Sequence, residues 1–238
     1  MRQVALNTHI SGTFNIELEN LRNSVLTMGG EVEQQLVDTL KAVKHNHAGL
    51  AEKVVLNDLK INSMEVQIDE ECLRIIAKRH PTASDLRLIM TISKAITDIE
   101  RMGDEIERIA KLVTRNKLPS SDTIKSSMLL IGERVAAMMR GTFDAFARQD
   151  EEAALTVYDQ DNRIDSEYKR LLAYTTSEME KSTQDMQDWL DVLWALRSLE
   201  RIGDRCKNVC EYVVYLTRGT DVRHTPLENM KQKLEDLT

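Results

Sequence analysis

Of the oxygen-bearing side chains that stand four residues apart in this chain, four pairs fall at matching places in its two halves: Glu100 with Asp104, Glu200 with Asp204, Asp161 with Asp165, and Asp58 with Asn62. On a helix, residues at i and i+4 stack on one face. Two carboxylates placed that way repel each other unless a cation or a basic side chain lies between them. A pair on one helix facing a pair on its neighbour gathers four oxygen ligands. That is the donor set of a hard cation such as Mg²⁺, Mn²⁺, Ca²⁺ or iron. Gly103 and Gly203 each precede the aspartate of a pair. A glycine inside a helix costs roughly 1 kcal/mol relative to alanine, so its use is expected in the close approach of a neighbouring helix or ligand. The competing reading is a solvated acidic face neutralised by Arg101, Arg108, Arg201 and Arg205.

Other reactive types offer less. Cys206 and Cys210 fall on an apolar helical face, where cysteine behaves as a small core residue. The histidines His9, His45, His47, His80 and His224 lie near predicted helix ends or in the tail. None forms the Glu-x-x-His of ferritin-like di-iron bundles, and there is no G-x-S-x-G, P-loop or H-E-x-x-H. The methionines read as core filler, and Trp189 and Trp194 are expected in the core or else as anchors of a partner interface, the core being favoured. Pro81 followed by Asp85-Leu86-Arg87 is expected to start a helix and to bring a charged pair near the carboxylates or simply to the helix end.

The elements that must position these residues are long helices. Phe14, Leu18, Leu21, Val25, Met28, Val32, Leu36, Leu40 and Val43 recur in steps of three and four, one face of a helix, with Ser11 or Thr13 as its cap. A second ladder runs from Val54 or Val55 through Ile61, Ile68, Cys72, Ile75 and Ile76 to His80-Pro81. A third carries Leu86, Ile89, Ile92, Ile96, Ile99, Gly103, Ile106, Ala110 and Val113. The run Asn116 to Asp122, around Pro119, is the clearest punctuation, with Asp122 as the expected next cap. Three further ladders follow, through Met128–Phe146, Ala154–Leu172 and Trp189–Leu216, with Gly219 as a C-cap and a short polar helix over Leu227–Leu237.

The second half repeats the first. Ile99-Glu100-Arg101-Met102-Gly103-Asp104 matches Leu199-Glu200-Arg201-Ile202-Gly203-Asp204 at a shift of about 100 residues, and Asp58 to Asn62 matches Asp161 to Asp165 at about 103. The fold class is therefore all-α, a tandem duplication of a three-helix bundle. Residues 8–117 form the first bundle, 122–218 the second, and 219–238 a C-terminal tail.

Composition agrees. Nine glycines and three prolines in 238 residues are too few turn residues for a sandwich, a barrel or a glycine-rich nucleotide fold. A net charge of −7 disfavours a nucleic-acid binder. No stretch approaches the roughly 18 uncharged apolar residues of a membrane span, and the N-terminus lacks a signal-peptide core. An odd number of cysteines in no scaffold spacing points to a reducing compartment, the cytoplasm.

At three places the residues carry a family resemblance: His9-Ile-Ser-x-x-Phe14-x-x-Glu17-Leu18-x-x-Leu21-Arg22 with Met28-Gly29, then Pro81-x-Ala83-x-Asp85-Leu86-Arg87, then the two Glu-Arg-x-Gly-Asp copies. In these the chain resembles the PhoU family of bacterial phosphate-specific transport accessory proteins, over residues 8–217. The resemblance implies two three-helix bundles with pseudo-twofold symmetry, often as a homodimer. It implies multinuclear metal clusters, with Mg, Mn, Zn or Fe as the ion. Their ligands would be Asp58, Glu100 and Asp104 in the first copy and Asp161, Asp165, Glu200 and Asp204 in the second. Asn62 departs from the acidic pattern, which is expected to weaken the first site without abolishing it, since asparagine still offers a carbonyl oxygen. The implied function is non-enzymatic: a negative regulator of the phosphate regulon that couples PstB, the ATPase of the phosphate ABC transporter, to the sensor kinase PhoR, so that PhoB stays inactive when phosphate is plentiful. The membrane is met only through these partners, by recruitment to the inner membrane. The alternative is a metal-binding helical protein with an enzymatic or metal-storage role.

Overall fold

The computed structural model describes residues 12–117, 121–181, 186–223 and 225–235. His9, Ser11, Pro119, His224 and Leu237 lie outside the described residues. Seven helices account for nearly all of the rest: α1 (Gly12–His45), α2 (Ala48–Arg79), α3 (Ala83–Thr114), α4 (Asp122–Arg148), α5 (Glu151–Lys181), α6 (Met186–Arg218) and α7 (Leu227–Glu235). At 1.5 Å per residue a 32-residue helix is about 48 Å long. Connections of two to three residues leave α1, α2 and α3 no choice but to lie antiparallel.

The helices end where local chemistry requires. His80 takes a left-handed conformation (φ 47°) and its N–H donates to the Ile76 carbonyl, so Pro81 follows a closed α2. Gln149 ends α4 in the same way (φ 51°), and the Asp150 carboxylate then accepts from the Ala153 N–H to start α5. Gly219, at φ +75°, closes α6 by donating to the Tyr215 carbonyl. The cap of α4 is Ser121, whose hydroxyl accepts from the Ile124 N–H; Asp122, expected there, is the first helical residue. The second helix also begins earlier than its apolar ladder, at Ala48, because the His47 ring nitrogen accepts from the Leu50 N–H.

Within each half all three helices pack on one another, and the halves meet through α1 on α4 and α3 on α6. One continuous apolar core runs through both, from Leu18, Met28 and Leu36 to Phe146, Leu196 and Leu199. The α3–α6 seam is an antiparallel pair held by buried acids. Asp98 accepts from Arg205 (3.0 Å), Asn208 (3.2 Å) and Tyr212 (2.8 Å). Glu105 accepts from Ser198 (2.7 Å) and Arg201 (2.9 Å). The contacts 98–205 and 105–198 exchange under a shift of 100 residues. The duplicated halves are therefore related by a pseudo-twofold axis crossing this seam, the geometry of an isologous interface.

Two apolar residues depart from the pattern. Leu86 is 38% exposed and Trp194 is 68% exposed. Trp194 follows the core-facing Val192 by two positions, which turns it about 200° away from the buried stripe. Trp189 packs on the core as expected. Beyond Gly219 the chain folds back, and Val222 and Met230 bury themselves with Val214 against Leu155 and Tyr158.

Candidate functional site

The pairs singled out by spacing come together across α2–α3 in the first half and α5–α6 in the second. In the first, Asp58 is only 5% exposed. Its Oδ2 accepts from Asn62 Nδ2 at 3.4 Å, and its Oδ1 has no partner. It lies against Gly103, where an added Cβ would meet Asp58 Oδ1 at 3.2 Å and Gln35 Oε1 at 3.6 Å. Gln35, on α1, is itself buried with neither side-chain polar atom satisfied. Burial pushes the Asp58 carboxyl up to about 6, and Glu107 and Asp104 push the same way. Glu100 is driven up to about 7 by burial and then by Asp104, Glu65 and Asp58. Among the described residues no lysine or arginine pairs with Asp58, Glu100 or Asp104.

The second copy has the same backbone arrangement with different company. Asp161 is 3% exposed, and its Oδ1 stands 2.8 Å from where a Gly203 Cβ would be. Lys207 Nζ lies 2.6 Å from Asp161 Oδ2 and 3.3 Å from Asp204 Oδ1. Arg197 pairs with Glu200. Burial raises the Asp161 carboxyl, and Lys207 opposes that; Glu200 is raised by burial and by Asp204, with Asp165 adding to it. Burial works against the Lys207 ammonium, yet its bonds to Asp161 and Asp204 hold it above the ordinary lysine range.

The arginines expected to neutralise the acidic pairs are largely engaged elsewhere. Arg108 and Arg201 serve Glu105, and Arg205 serves Asp98; Arg101 is exposed and acts on Glu100 from outside. Arg87 is not near the carboxylates. It lies over the Tyr215 ring at 5.9 Å and against Gly219, at the C-terminal end of α6, about 20 Å along α3 from Glu100 at helical rise. Cys206 and Cys210 are core residues, and burial pushes the Cys210 thiol up to about 12 and Cys206 higher still.

Residues that spacing did not point to are Gln35, Glu65, Glu107, Arg197 and Lys207. A signal existed for two of them, since the 100-residue shift puts Glu107 on Lys207 and so reverses a charge beside the motif. As they stand, no three His, Cys, Asp or Glu side chains among the described residues adopt a metal-holding arrangement. The first cluster nonetheless has the chemistry a hard cation requires: four acids of α2 and α3 (Asp58, Glu65, Glu100 and Asp104), an orphaned buried carboxylate oxygen, and no basic partner on the central three.

Comparison with known proteins places these features in a family. The PhoU domain family model matches twice, over residues 25–113 and 128–213. The phosphate-specific transport system accessory protein PhoU of Serratia marcescens is 44% identical over 224 residues, covering 94% of this chain and 92% of that one. The corresponding protein of Escherichia coli (strain K12) is 43% identical, covering 94% and 93%. The crystal structure of PhoU from Pseudomonas aeruginosa superposes with a TM-score of 0.83 at 44% identity, covering 87% of this chain and all of that one. That of the phosphate transport system regulatory protein PhoU from Streptococcus pneumoniae gives 0.81 at 29% identity, covering 88% and 99%.

Proposed function

The chain belongs to the PhoU family, and on that premise we propose that it is a negative regulator of phosphate uptake and of the phosphate-starvation response. It acts as an adaptor between PstB, the ATPase of the phosphate ABC transporter, and the sensor kinase PhoR, keeping PhoB inactive when phosphate is plentiful. The observation that carries this reading is near-full-length similarity, through both repeats, to proteins named as phosphate transport accessories.

The physical features are those of a docking protein. Leu56, Leu59, Val66 and Leu73 are each more than half exposed on α2. At 100° per residue they fall within one sector of about 100°, which is the open apolar stripe that helix-on-helix recognition uses. The same kind of face suits a homodimer. No helix among the described residues is long and apolar enough to cross a membrane, so recruitment to the inner membrane falls to the partners and the protein itself is assigned to the cytoplasm. We assign no catalytic step. The buried thiols Cys72, Cys206 and Cys210, raised to about 12 or beyond, are unsuited to nucleophilic work near neutrality. In this reading metal is a structural or sensing ligand. Asp58, Asn62, Glu100 and Asp104 form the set that no lysine or arginine already fills.

The test is alkaline phosphatase activity in cells of the source organism grown with excess phosphate. Deletion of the gene is expected to give high activity, and the wild-type gene in trans to restore repression. Continued repression in the deletion strain removes the regulatory reading.

A further inference from the structure

We propose that the α5–α6 copy of the acidic motif does not fit the metal that the family resemblance implies for it, because the ammonium of Lys207 takes the cation's place there, whereas the α2–α3 copy has no such side chain. This deepens the metal reading above and rests on it.

The duplication supplies the comparison. The shift of 100 residues puts Gly103 on Gly203, Asp104 on Asp204 and Glu100 on Glu200; the shift of 103 puts Asp58 on Asp161. Both glycines do one job, letting a buried aspartate of the neighbouring helix lie against the backbone. What differs is the charge beside it. At position 107 stands a glutamate, paired with Lys111 on its own helix at 2.6 Å. At the equivalent position 207 stands a lysine whose Nζ bridges Asp161 and Asp204, at 2.6 and 3.3 Å. An ammonium between two carboxylates does what a divalent ion would do there, and it is covalently tethered. An incoming ion must displace it and strand a half-buried positive charge, which is strongly unfavourable.

The first cluster has no such ammonium; an unpartnered carboxylate oxygen is common to both copies, at Asp58 Oδ1 and at Asp161 Oδ1, and what is particular to the first is the buried Gln35 amide beside it. Asp58 Oδ1 and both polar atoms of the Gln35 amide lack partners, though the two residues are only 5% and 3% exposed. Asp58 Oδ1 and Gln35 Oε1 converge on Gly103, within 3.2 and 3.6 Å of where a Cβ would stand. Buried polar groups are seldom left so. Asp58, Glu100 and Asp104 are the residues that would hold a hard cation there, and it would supply the positive charge that no side chain does.

Manganese(II) alone is the probe. The full-length protein, freed of metal by chelation and dialysed, is titrated with Mn²⁺; free ion is followed by its electron paramagnetic resonance signal and bound ion by elemental analysis after gel filtration. The wild type is expected to show one class of site, lost in Glu100→Gln. Glu107→Lys brings the second copy's cation into the first and is expected to weaken Mn²⁺ binding about tenfold or more without removing a ligand. Lys207→Glu, and the milder Lys207→Gln, are expected to open a second class of site and so raise bound Mn²⁺ per chain. Circular dichroism confirms that each variant is folded. Equal loading of both clusters in the wild type, with half the ion lost in Glu200→Gln, overturns the proposal. So does an unchanged uptake in folded Lys207→Gln, or no Mn²⁺ binding at all. None of these outcomes touches the regulatory reading, which is decided by phosphatase activity in cells.

Discussion

Gly203→Ala and Gly103→Ala are the same substitution at equivalent places, and the packing around them predicts opposite results. In a helix interior the change by itself gains roughly 1 kcal/mol. At Gly203 the new Cβ would stand 2.8 Å from Asp161 Oδ1, well inside ordinary van der Waals contact. The carboxylate is 3% exposed, and its other oxygen is held by Lys207 at 2.6 Å, so it cannot swing away without giving up that ion pair. Overpacking of this kind costs about 1–3 kcal/mol, and loosening the Lys207 pair adds to it. The net expectation for Gly203→Ala is a loss of about 1–2 kcal/mol, which for a chain of this size lowers Tm by about 2–8 °C. At Gly103 the contact is 3.2 Å, and no cation pins Asp58. A shift of a few tenths of an ångström accommodates the methyl, so Gly103→Ala is expected to be neutral or stabilising by up to about 1 kcal/mol. Urea denaturation of the metal-free protein, followed by circular dichroism, measures both. The decisive control is Asp161→Ala, in whose background Gly203→Ala should recover the helix-propensity gain, a coupling that a double-mutant cycle isolates. If Gly203→Ala is as stable as Gly103→Ala, the close approach of Asp161 does not have the cost assigned to it and the reasoning fails.

The first acidic cluster makes stability depend on pH. Asp58 moves from an ordinary 3.8 to about 6 and Glu100 from 4.5 to about 7, so the folded protein holds these protons after the unfolded chain has released them. Stability from these groups is present below about pH 4 and is lost as pH rises through about 6–7. Relative to the metal-free wild type, Asp58→Asn/Glu100→Gln should gain about 2 kcal/mol between pH 4.5 and 8, a figure discounted for the partial exposure of Glu100; a difference that stays flat with pH refutes the assignment. At the seam between the halves, Asp98→Ala strands Arg205 and unpairs Asn208 and Tyr212. It should cost about 3 kcal/mol in urea denaturation, and a loss below about 1 kcal/mol would show that the seam does not depend on that acid.

Most of the fold was legible because long helices write their buried face into the sequence every three or four residues. Every member of the first ladder except Leu40 is buried, and Leu40 packs on the core from its edge. Failures came where a local competitor acts. Ser121 rather than Asp122 caps α4 because a hydroxyl one position earlier reaches the Ile124 N–H. Trp194 is exposed because its angular position on α6, not its size, decides its environment. The site was half legible. The i,i+4 carboxylates belong to one helix each and are visible as spacing. Lys207 lies three residues from Asp204, but its shorter contact is with Asp161 on α5. That contact depends on the register of α5 against α6, which no spacing along one helix encodes. The arginines misled for the same reason, since Arg201 and Arg205 reach across to α3.

The buried acids of this protein can be ranked by what cancels their charge. Asp98 has a guanidinium, an amide and a phenol from the opposite half, and Glu105 has Arg201, Arg108 and Ser198. Asp161 has Lys207. Asp98 and Glu105 are closed structural contacts, and removing their cations would leave a buried charge to cost several kcal/mol; Asp161 is paired through Oδ2 with Lys207, while its Oδ1 has no partner. Asp58, buried to the same degree, has one amide at 3.4 Å and the like charges of Asp104 and Glu107 around it. At the position equivalent to Asp58 the fold supplies a tethered cation, Lys207, and at Asp58 it supplies none. On the proposal above, the charge reversal between Glu107 and Lys207 is the change that gives Asp161 a tethered cation and leaves Asp58 without one.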